Sequence, residues 1–214
     1  MDEPQVIIEV IGEGKTDVGV VPILIRKLCD QPATMQIKRT PYAALQQLGG
    51  RYRKIRFAKR QASISGRHGL VFVVDTEGEL LNKVIEELIT GRDSCYPELP
   101  TAVGVAHPCI EAWLLADPAA VKKGLNLKEK PVFPEEPESL DAPQHDRDEN
   151  PKTILARCVG PRKALSAKET CAIAKEIRDL SRLESGCPKS FKPFAEEVRT
   201  HILPLFHHSQ DLPP

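Results

Sequence analysis

Two short acidic segments of the sequence have the composition of a cation-binding site. The first is residues 13–17 (EGKTD), and the second is residues 75–77 (DTE). Carboxylate oxygens are the ligands that Mg²⁺ prefers in proteins, and a Mg²⁺ ion held by one or two carboxylates keeps positions for waters and a substrate phosphate. The two segments therefore indicate phosphoryl chemistry assisted by a divalent cation.

The first segment also allows a second interpretation, as the end of a phosphate-binding loop. Residues 14–16 (GKT) match the last three positions of G-x-x-x-x-G-K-[ST]. The first glycine of that pattern is replaced by Glu9, and Glu13 would place a carboxylate beside the phosphate, where like charges repel. In this alternative Asp75 would hold the magnesium of a nucleotide. Both interpretations remain open from these residues alone.

The elements that carry the acids are predicted from hydrophobic patterns. The predicted strands cover residues 6–11, 34–39, 69–75 and 101–108, and the predicted helices between them cover residues 16–28, 42–61 and 78–90. Strands that alternate with helices predict an α/β fold with an open, mainly parallel four-stranded sheet and helices on both faces.

Both acidic segments follow predicted strands directly. The carboxyl ends of parallel strands lie at the same edge of a sheet, where such folds bind their ligands. If the two strands are neighbours, the carboxylates of Glu13, Asp75 and Glu77 converge. Carboxylates that converge repel one another unless a cation neutralises them, so this arrangement predicts a metal site.

Strand signals end near residue 118. A short apolar helix is predicted at residues 109–118, and further helices are predicted at residues 151–160, 167–183 and 191–206. Residues 131–151 are rich in proline and acid, which predicts a mobile loop or lid. We therefore expect an α/β domain at residues 1–117 and a helical C-terminal subdomain at residues 118–214 that includes this loop.

Composition excludes little about function. The 214 residues contain 30 basic and 30 acidic side chains, so binding to a polyanion must come from a local patch or a bound cation. Six cysteines without a C-x-x-C pair, and no apolar run of membrane-spanning length, predict a cytoplasmic protein with reduced thiols and no membrane partner. The one dense basic segment is residues 51–60.

Helical spacing places Arg53, Arg56 and Arg60 of this basic segment on one side of a helix. These side chains can bind a nucleic-acid backbone, or they can form an ordinary solvated helix face.

The acidic segments resemble two motifs of Toprim domains. EGKTD at residues 13–17 is similar to E-G-x-[ST]-[DE] after the first strand, and DTE at residues 75–77 is similar to a later D-x-[DE]. EAWLLAD at residues 111–117 resembles a helix of small prokaryotic Toprim proteins encoded near ATPases and related to the nuclease half of overcoming-lysogenization-defect (OLD) proteins. NPK at residues 150–152 and SFKPF at residues 190–194 are also similar to elements of that group.

The resemblance implies a Toprim (Rossmann-like) domain with Mg²⁺- or Mn²⁺-dependent nuclease activity on DNA or RNA, within a system of defence against phage. Its expected ligands are Glu13, Asp75 and Glu77. Second-site or outer-shell ligands would come from Asp17, Glu79 and Glu111. Lys15 would neutralise a substrate phosphate. The implied partners are a nucleic acid, an ABC-type ATPase and a second copy of the chain.

Alternative functions and structural roles remain for the same residues. The protein can be a non-catalytic regulatory subunit that docks an ATPase, or a nucleotide-hydrolysing switch built on Lys15 and Thr16. Glu13 and Asp17 can be an acidic helix start with Thr16 as the N-cap. Residues 75–77 can be a solvated turn, and Glu111 can be a buried structural acid.

Overall fold

A computed structural model of the protein describes residues 5–94, 98–140, 150–161 and 164–207. The strands are β1 (Val6–Gly12), β2 (Met35–Pro41), β3 (Gly69–Asp75) and β4 (Thr101–Ala106). The helices are α1 (Asp17–Leu28), α2 (Arg51–Ile64), α3 (Leu81–Asp93), α4 (Ile110–Leu115), α5 (Pro118–Gly124), α6 (Pro151–Arg157), α7 (Ala167–Glu176), α8 (Ser181–Gly186), α9 (Phe191–His201) and α10 (Pro204–His207). Strands and helices alternate as far as β4.

The four strands form one parallel sheet in the order β2-β1-β3-β4, which confirms the predicted α/β class and four-stranded sheet. β1 pairs on both sides, with Val10 opposite Arg39 of β2 and Val71 of β3. From β1 the chain moves to one side to form β2 and then returns past β1 to form β3 and β4. The order reverses between β1 and β3, and open sheets bind ligands at the carboxyl ends beside such a reversal.

The side chains of the sheet alternate between two apolar cores. Val71 and Val73 of β3 pack with residues of α1, α7 and α9, whereas Leu70, Phe72 and Val74 pack with residues of α2 and α3. Successive strand residues point to opposite faces, so a strand covered on both sides is apolar throughout. This explains the apolar run of β3, which continues until Asp75.

The helices after residue 117 pack on the sheet side that also carries α1. α7 contacts α1 and α5, and α9 lies along β4. Gly104 of β4 permits the close approach of α9, because a Cβ atom there would lie 2.6 Å from Cδ2 of Phe194. Residues of the two predicted segments, 1–117 and 118–214, thus share one apolar core.

β4 lies at an edge of the sheet, and a side chain from α9 occupies part of that edge. Oε2 of Glu197 accepts a hydrogen bond from the N–H of Val103 at 3.1 Å. The same oxygen lies 2.6 Å from Nη1 of Arg92, at the end of α3. Glu197 therefore ties α9 and α3 to the outer backbone of β4.

The predicted helix at residues 42–61 differs from the structure. Residues Tyr42–Leu45 form a 3₁₀ turn, and α2 begins only at Arg51. Gly50 separates them with a φ of 68°, in the left-handed region that glycine adopts without a Cβ clash. The helical spacing of apolar residues continues across Gly50 in the sequence. Such spacing alone cannot detect that the backbone changes direction there. The predicted helix at residues 167–183 is likewise divided between α7 and α8.

The predicted loop at residues 131–151 is described in part, since residues 141–149 lie outside the described residues. Before that gap, Pro137 and Glu138 are buried in a short 3₁₀ turn. After it, Asn150 caps α6 by accepting a hydrogen bond from the N–H of Thr153 at 3.0 Å. The chain is therefore buried at residues 137–138 and 150, on either side of the gap, whereas Val132 near the start of the predicted loop is 95% exposed.

Candidate functional site

The two acidic segments meet at the carboxyl edge of the sheet. Glu13 follows β1 directly, and Asp75 is the last residue of β3, the strand beside it. Oε2 of Glu13 accepts a hydrogen bond from the N–H of Asp75 at 3.3 Å. Side chains from separate parts of the sequence are therefore adjacent at the point where the strand order reverses.

A cavity of about 200 Å³ lies at these strand ends. Its lining residues are Glu13, Gly14, Thr16, Asp17, Asp75, Glu77, Glu111 and Lys152. Five of them are carboxylates, and all five are acids that the sequence proposes as ligands or catalytic groups. We refer to this feature as the acidic cavity.

Asp17 is held in the acidic cavity by the turn between β1 and α1. Its Oδ2 accepts a hydrogen bond from the N–H of Gly14 at 2.7 Å, and its side chain is buried. Thr16 occupies the N-cap position but makes no capping hydrogen bond with its side chain. A Cβ atom at Gly12 would lie 2.6 Å from Cβ of Asp17, so the absence of a side chain at residue 12 lets the turn close.

Asp75 is held from the opposite side by residues that follow β4. Its Oδ1 accepts a hydrogen bond from the N–H of Ile110, the first residue of α4, at 3.1 Å. Its Oδ2 lies 3.9 Å from Nζ of Lys152. Both oxygens of this buried carboxylate therefore have fixed neighbours.

Thr76 fixes the turn that carries Glu77 into the acidic cavity. The Thr76 side chain is fully buried, and its Oγ1 lies 3.0 Å from Nδ1 of His107. The same hydroxyl lies within hydrogen-bonding reach of the carbonyl oxygen of Pro108, at 3.3 Å. Glu77 then adopts a φ of 49°, so the chain changes direction directly after Thr76.

Glu111 and Lys152 complete the cavity from α4 and α6. Glu111 is buried, and its Oε2 has no hydrogen-bond partner among the described residues. The α6 N-cap at Asn150 positions Lys152 in the first turn of the helix, with its side chain in the cavity. One ammonium group thus lies among five carboxylates.

Burial, together with repulsion from neighbouring carboxylates, raises the pKa values of three of the cavity acids, Glu13, Asp17 and Asp75. Burial, followed by the charge of Glu77, raises the pKa of Glu13 to about 7, although the N–H of Asp75 opposes the change. Burial and the charge of Glu111 raise the pKa of Asp17 to about 6. The pKa of Asp75 lies well above its usual range because of burial and the charges of Asp17 and Glu111.

Lys152 responds in the opposite sense to the same charges. Burial lowers the pKa of its ammonium group, but the carboxylates of Glu111, Asp75 and Asp17 outweigh burial and raise it. Lys152 therefore remains charged, and one positive charge does not cancel the repulsion among the acids.

Without added cations, the acidic cavity should make the protein less stable as the pH rises. Glu13 has a pKa of about 7 when folded against 4.5 for an ordinary glutamate, so between these values the folded state binds more protons than the unfolded state. The free energy of unfolding then falls with rising pH. Thermal melting in chelator from about pH 5 to about pH 8 should show a Glu13→Gln variant gaining stability relative to the wild type. A difference in melting temperature that stays constant with pH would contradict this assignment.

Five other residues that the sequence proposes do not line the acidic cavity. Lys15 is exposed at the turn before α1, and Arg53, Arg56 and Arg60 are exposed along α2. Oε1 of Glu79 lies 2.7 Å from Nη1 of Arg51. That hydrogen bond lowers the pKa of Glu79.

The sequence assigned no role in the site to three residues that shape it. Lys152 lies far along the chain from the strand ends. The sequence indicates only that a helix begins there, through the N-cap Asn150 and the proline that follows it. Arg51 opens α2 beside Glu79 and contributes a positive charge near Glu13. His107 contacts Thr76, and no spacing in the sequence relates these two positions.

The donor chemistry of the acidic cavity fits a hard divalent cation. Among the described residues, no three Asp, Glu, His or Cys side chains are already grouped as ligands of one metal ion. Glu77 is exposed and Glu13 is half-buried, so both side chains would have room to turn toward an ion placed at Asp75. The unpartnered oxygen of Glu111 is costly to bury and would gain a partner in such an ion.

Comparison with known proteins identifies no relative of the chain. No protein-family model matches the chain, and the searches of curated proteins and solved structures also returned no match. The fold alone does not determine a function, so the functional information lies in the residues of the site. In the described part of the chain, no helix is long and apolar enough to cross a membrane.

Proposed function

We propose that the protein is a nuclease that depends on Mg²⁺ or Mn²⁺ and cleaves phosphodiester bonds in DNA or RNA at the acidic cavity. The observation that carries the proposal is the meeting of Glu13, Asp75 and Glu111 at one cavity, where a buried oxygen of Glu111 has no partner in the described part of the chain. These residues belong to the three segments that resemble Toprim motifs. Lys152, from the NPK segment, lies in the same place.

Glu13, Asp75 and Glu77 are the proposed ligands, and Asp17 and Glu111 are proposed for a second ion or for the outer shell. A bound divalent cation would polarise the phosphoryl group and lower the pKa of a bound water. The raised pKa values of Glu13 and Asp17 agree with this assignment, because burial and neighbouring carboxylates both disfavour their charged forms and a cation would offset both effects.

The residues of the chain have distinct proposed roles around the phosphate. Asp75 keeps its orientation through the N–H of Ile110. The ammonium group of Lys152, 3.9 Å from Asp75, can bind a phosphate oxygen and offset developing negative charge. Thr76 acts as a positioning residue, since its contact with His107 fixes the turn between Asp75 and Glu77.

The resemblance extends the proposal to the architecture and partners. We infer a Toprim-like catalytic unit at residues 1–117 and a helical C-terminal subdomain that covers one face of the sheet. A neighbouring ABC-type ATPase and a role in defence against phage are part of the same proposal. A regulatory subunit without catalysis is the alternative if the acidic cavity binds no cation.

The nucleotide-switch alternative has less support. β1 continues through Gly12 and α1 starts at Asp17, so only residues 13–16 separate the strand from the helix. Glu9, which would have to be the first glycine of the phosphate-binding loop, lies within β1. Lys15 is exposed and does not line the acidic cavity.

The test is cleavage of plasmid DNA and of total RNA by the purified protein, with manganese and with chelator. We expect cleavage with manganese and none with chelator. Cleavage that persists unchanged in a Glu13→Gln variant would contradict the proposal. Inactivity in every condition, combined with tight binding to an ATPase, would favour the regulatory alternative. Nucleotide binding lost in Lys15→Ala but kept in Glu13→Gln would favour the switch.

Glu77→Gln and Glu79→Gln form a matched pair that separates cation binding from general charge. Both substitutions remove one carboxylate from the same turn, but Glu77 lines the acidic cavity and Glu79 pairs with Arg51. We expect Glu77→Gln to weaken manganese binding about tenfold to a hundredfold in calorimetric titration. Glu79→Gln should bind nearly as the wild type does. Equal losses in the two variants would argue against Glu77 as a ligand.

A further inference from the structure

α2 runs from the acidic cavity toward the opposite edge of the sheet. Its first residue, Arg51, contacts Glu79 in the segment between β3 and α3, close to Glu77. The helix has 14 residues, so it is about 20 Å long. Ile55, Ala58 and Ala62 are buried against the second core. The opposite side of α2 is therefore an exposed surface that starts beside the cavity.

The outermost residues of α2 are defined by helix geometry. Arg53, Phe57, Arg60 and Ile64 lie within roughly 60° of one another around the axis, opposite the buried residues, and Arg56 lies beside them. We name these five residues the α2 ridge. All five are exposed.

The α2 helix carries a concentration of positive charge in a protein with no net charge. It contains six basic residues, Arg51, Arg53, Lys54, Arg56, Lys59 and Arg60, and no acidic residue, whereas the chain as a whole has 30 of each. Arg51 and Lys59 face inward, where Arg51 pairs with Glu79 and Lys59 donates to the carbonyl oxygen of Arg92. The arginines of the ridge face solvent.

The ridge also exposes apolar surface that packing does not require. Phe57 is 42% exposed and Ile64 is 70% exposed, and they are two of the four large hydrophobic side chains exposed in the described part of the chain. An aromatic ring among arginines matches the surface that binds single-stranded nucleic acid, where bases stack on rings and cations follow the phosphates.

We propose that the α2 ridge binds single-stranded nucleic acid and guides the strand toward the acidic cavity. This inference rests on the proposed nuclease function. The acidic cavity repels a polyanion, so attraction must come from a nearby basic surface. The ridge carries that charge, and it begins two residues after Arg51, whose charge acts on Glu13 of the cavity. Phe57 favours a single strand over a duplex, because the bases of a duplex are already stacked and cannot cover its ring.

The test is binding of the full chain to labelled oligothymidylate of about twenty nucleotides, measured by fluorescence anisotropy in chelator so that no cleavage occurs. We expect Phe57→Ala to weaken binding about tenfold, and Phe57→Leu to weaken it nearly as much, because leucine keeps apolar surface but offers no ring. Binding to the duplex with oligoadenylate should be weaker than binding to the single strand and insensitive to Phe57.

The arginines are tested by the salt dependence of binding. A variant with Arg53→Gln and Arg60→Gln should bind more weakly and should lower the slope of log affinity against log salt by about 1.4, or about 0.7 for each lost phosphate contact. A variant with Lys168→Gln and Lys175→Gln carries the same charge change on α7, which packs on the other side of the sheet. This control should bind as the wild type does.

Three results would overturn the inference: ridge variants that bind like the wild type, a duplex bound as tightly as the single strand, or capture of the ridge by phosphatidylserine vesicles without oligonucleotide binding. Failure of the proposed function is distinguishable from these. If the ridge binds the oligonucleotide but no manganese-dependent cleavage occurs, the nuclease function is contradicted and the role of the ridge is supported. Cleavage that is lost in Glu13→Gln but unchanged in the ridge variants would support the nuclease function and contradict the role of the ridge.

Discussion

Replacing Asp75 with asparagine is expected to reduce manganese-dependent cleavage about a thousandfold, measured as the initial rate on plasmid DNA. Asparagine has the same shape, and its oxygen can still accept the hydrogen bond from the N–H of Ile110. It lacks the negative charge that pairs with Lys152, 3.9 Å away, and that would bind the proposed cation. The fold should therefore survive while the chemistry is lost.

A second measurement on the same variant separates lost chemistry from misfolding. Burial raises the pKa of Asp75, and the charges of Asp17 and Glu111 raise it further. Removing the charge of Asp75 should raise the melting temperature in chelator, while the stabilisation that manganese gives to the wild type should disappear. Asp93→Asn, at the exposed end of α3, is the matched control. Full activity in Asp75→Asn, or equal losses in both variants, would contradict the role given to Asp75.

Truncating Trp113 to alanine is expected to cause the largest loss of stability, about 4 kcal/mol in the free energy of unfolding. The side chain is 0% exposed. Its ring stacks on Phe194 with a centroid distance of 5.2 Å and meets the edge of Phe191 at 5.3 Å. Its Nε1 donates a hydrogen bond to Oγ of Ser190 at 2.7 Å. Alanine would leave a cavity and an unpaired hydroxyl.

The loss should be measured by urea denaturation followed by circular dichroism, because Trp113 is the only tryptophan and its fluorescence disappears with it. Trp113→Phe should lose less, since a ring remains against Phe194. Leu80→Ala, at a residue that is 77% exposed, should change stability by no more than about 0.5 kcal/mol. A loss for Trp113→Ala as small as that for Leu80→Ala would show that the aromatic cluster does not hold α4 to α9.

The sheet and the meeting of the acids could be predicted from local patterns. An apolar run buried on both faces is typical of a central parallel strand, and β3 is such a run that ends at Asp75. The β-branched residues of β1 also predict a strand, which ends directly before Glu13. Parallel pairing then brings the ends of neighbouring strands together. The sequence therefore indicated the place of the cavity, although it did not show that β1 and β3 are neighbours.

The remaining parts of the site depend on contacts that local patterns do not encode. Glu77 and Glu79 look alike in the sequence, and a single turn with φ of 49° at Glu77 directs one to the cavity and the other to Arg51. Lys152 reaches the site only because α6 packs on α4. The single helix predicted at residues 42–61 is interrupted at Gly50, directly before α2. The interruption comes from the backbone conformation of Gly50, which apolar spacing cannot reveal.

The hydrogen bond from Val103 to Glu197 has a consequence for the behaviour of the protein at high concentration. An exposed edge strand can recruit a strand of another chain and start open-ended aggregation. At β4 an incoming strand would first have to displace the carboxylate of Glu197 and separate it from Arg92, 2.6 Å away. The outer side of β4 is thereby protected against β-sheet extension. A Glu197→Ala variant should form fibrils more readily than the wild type.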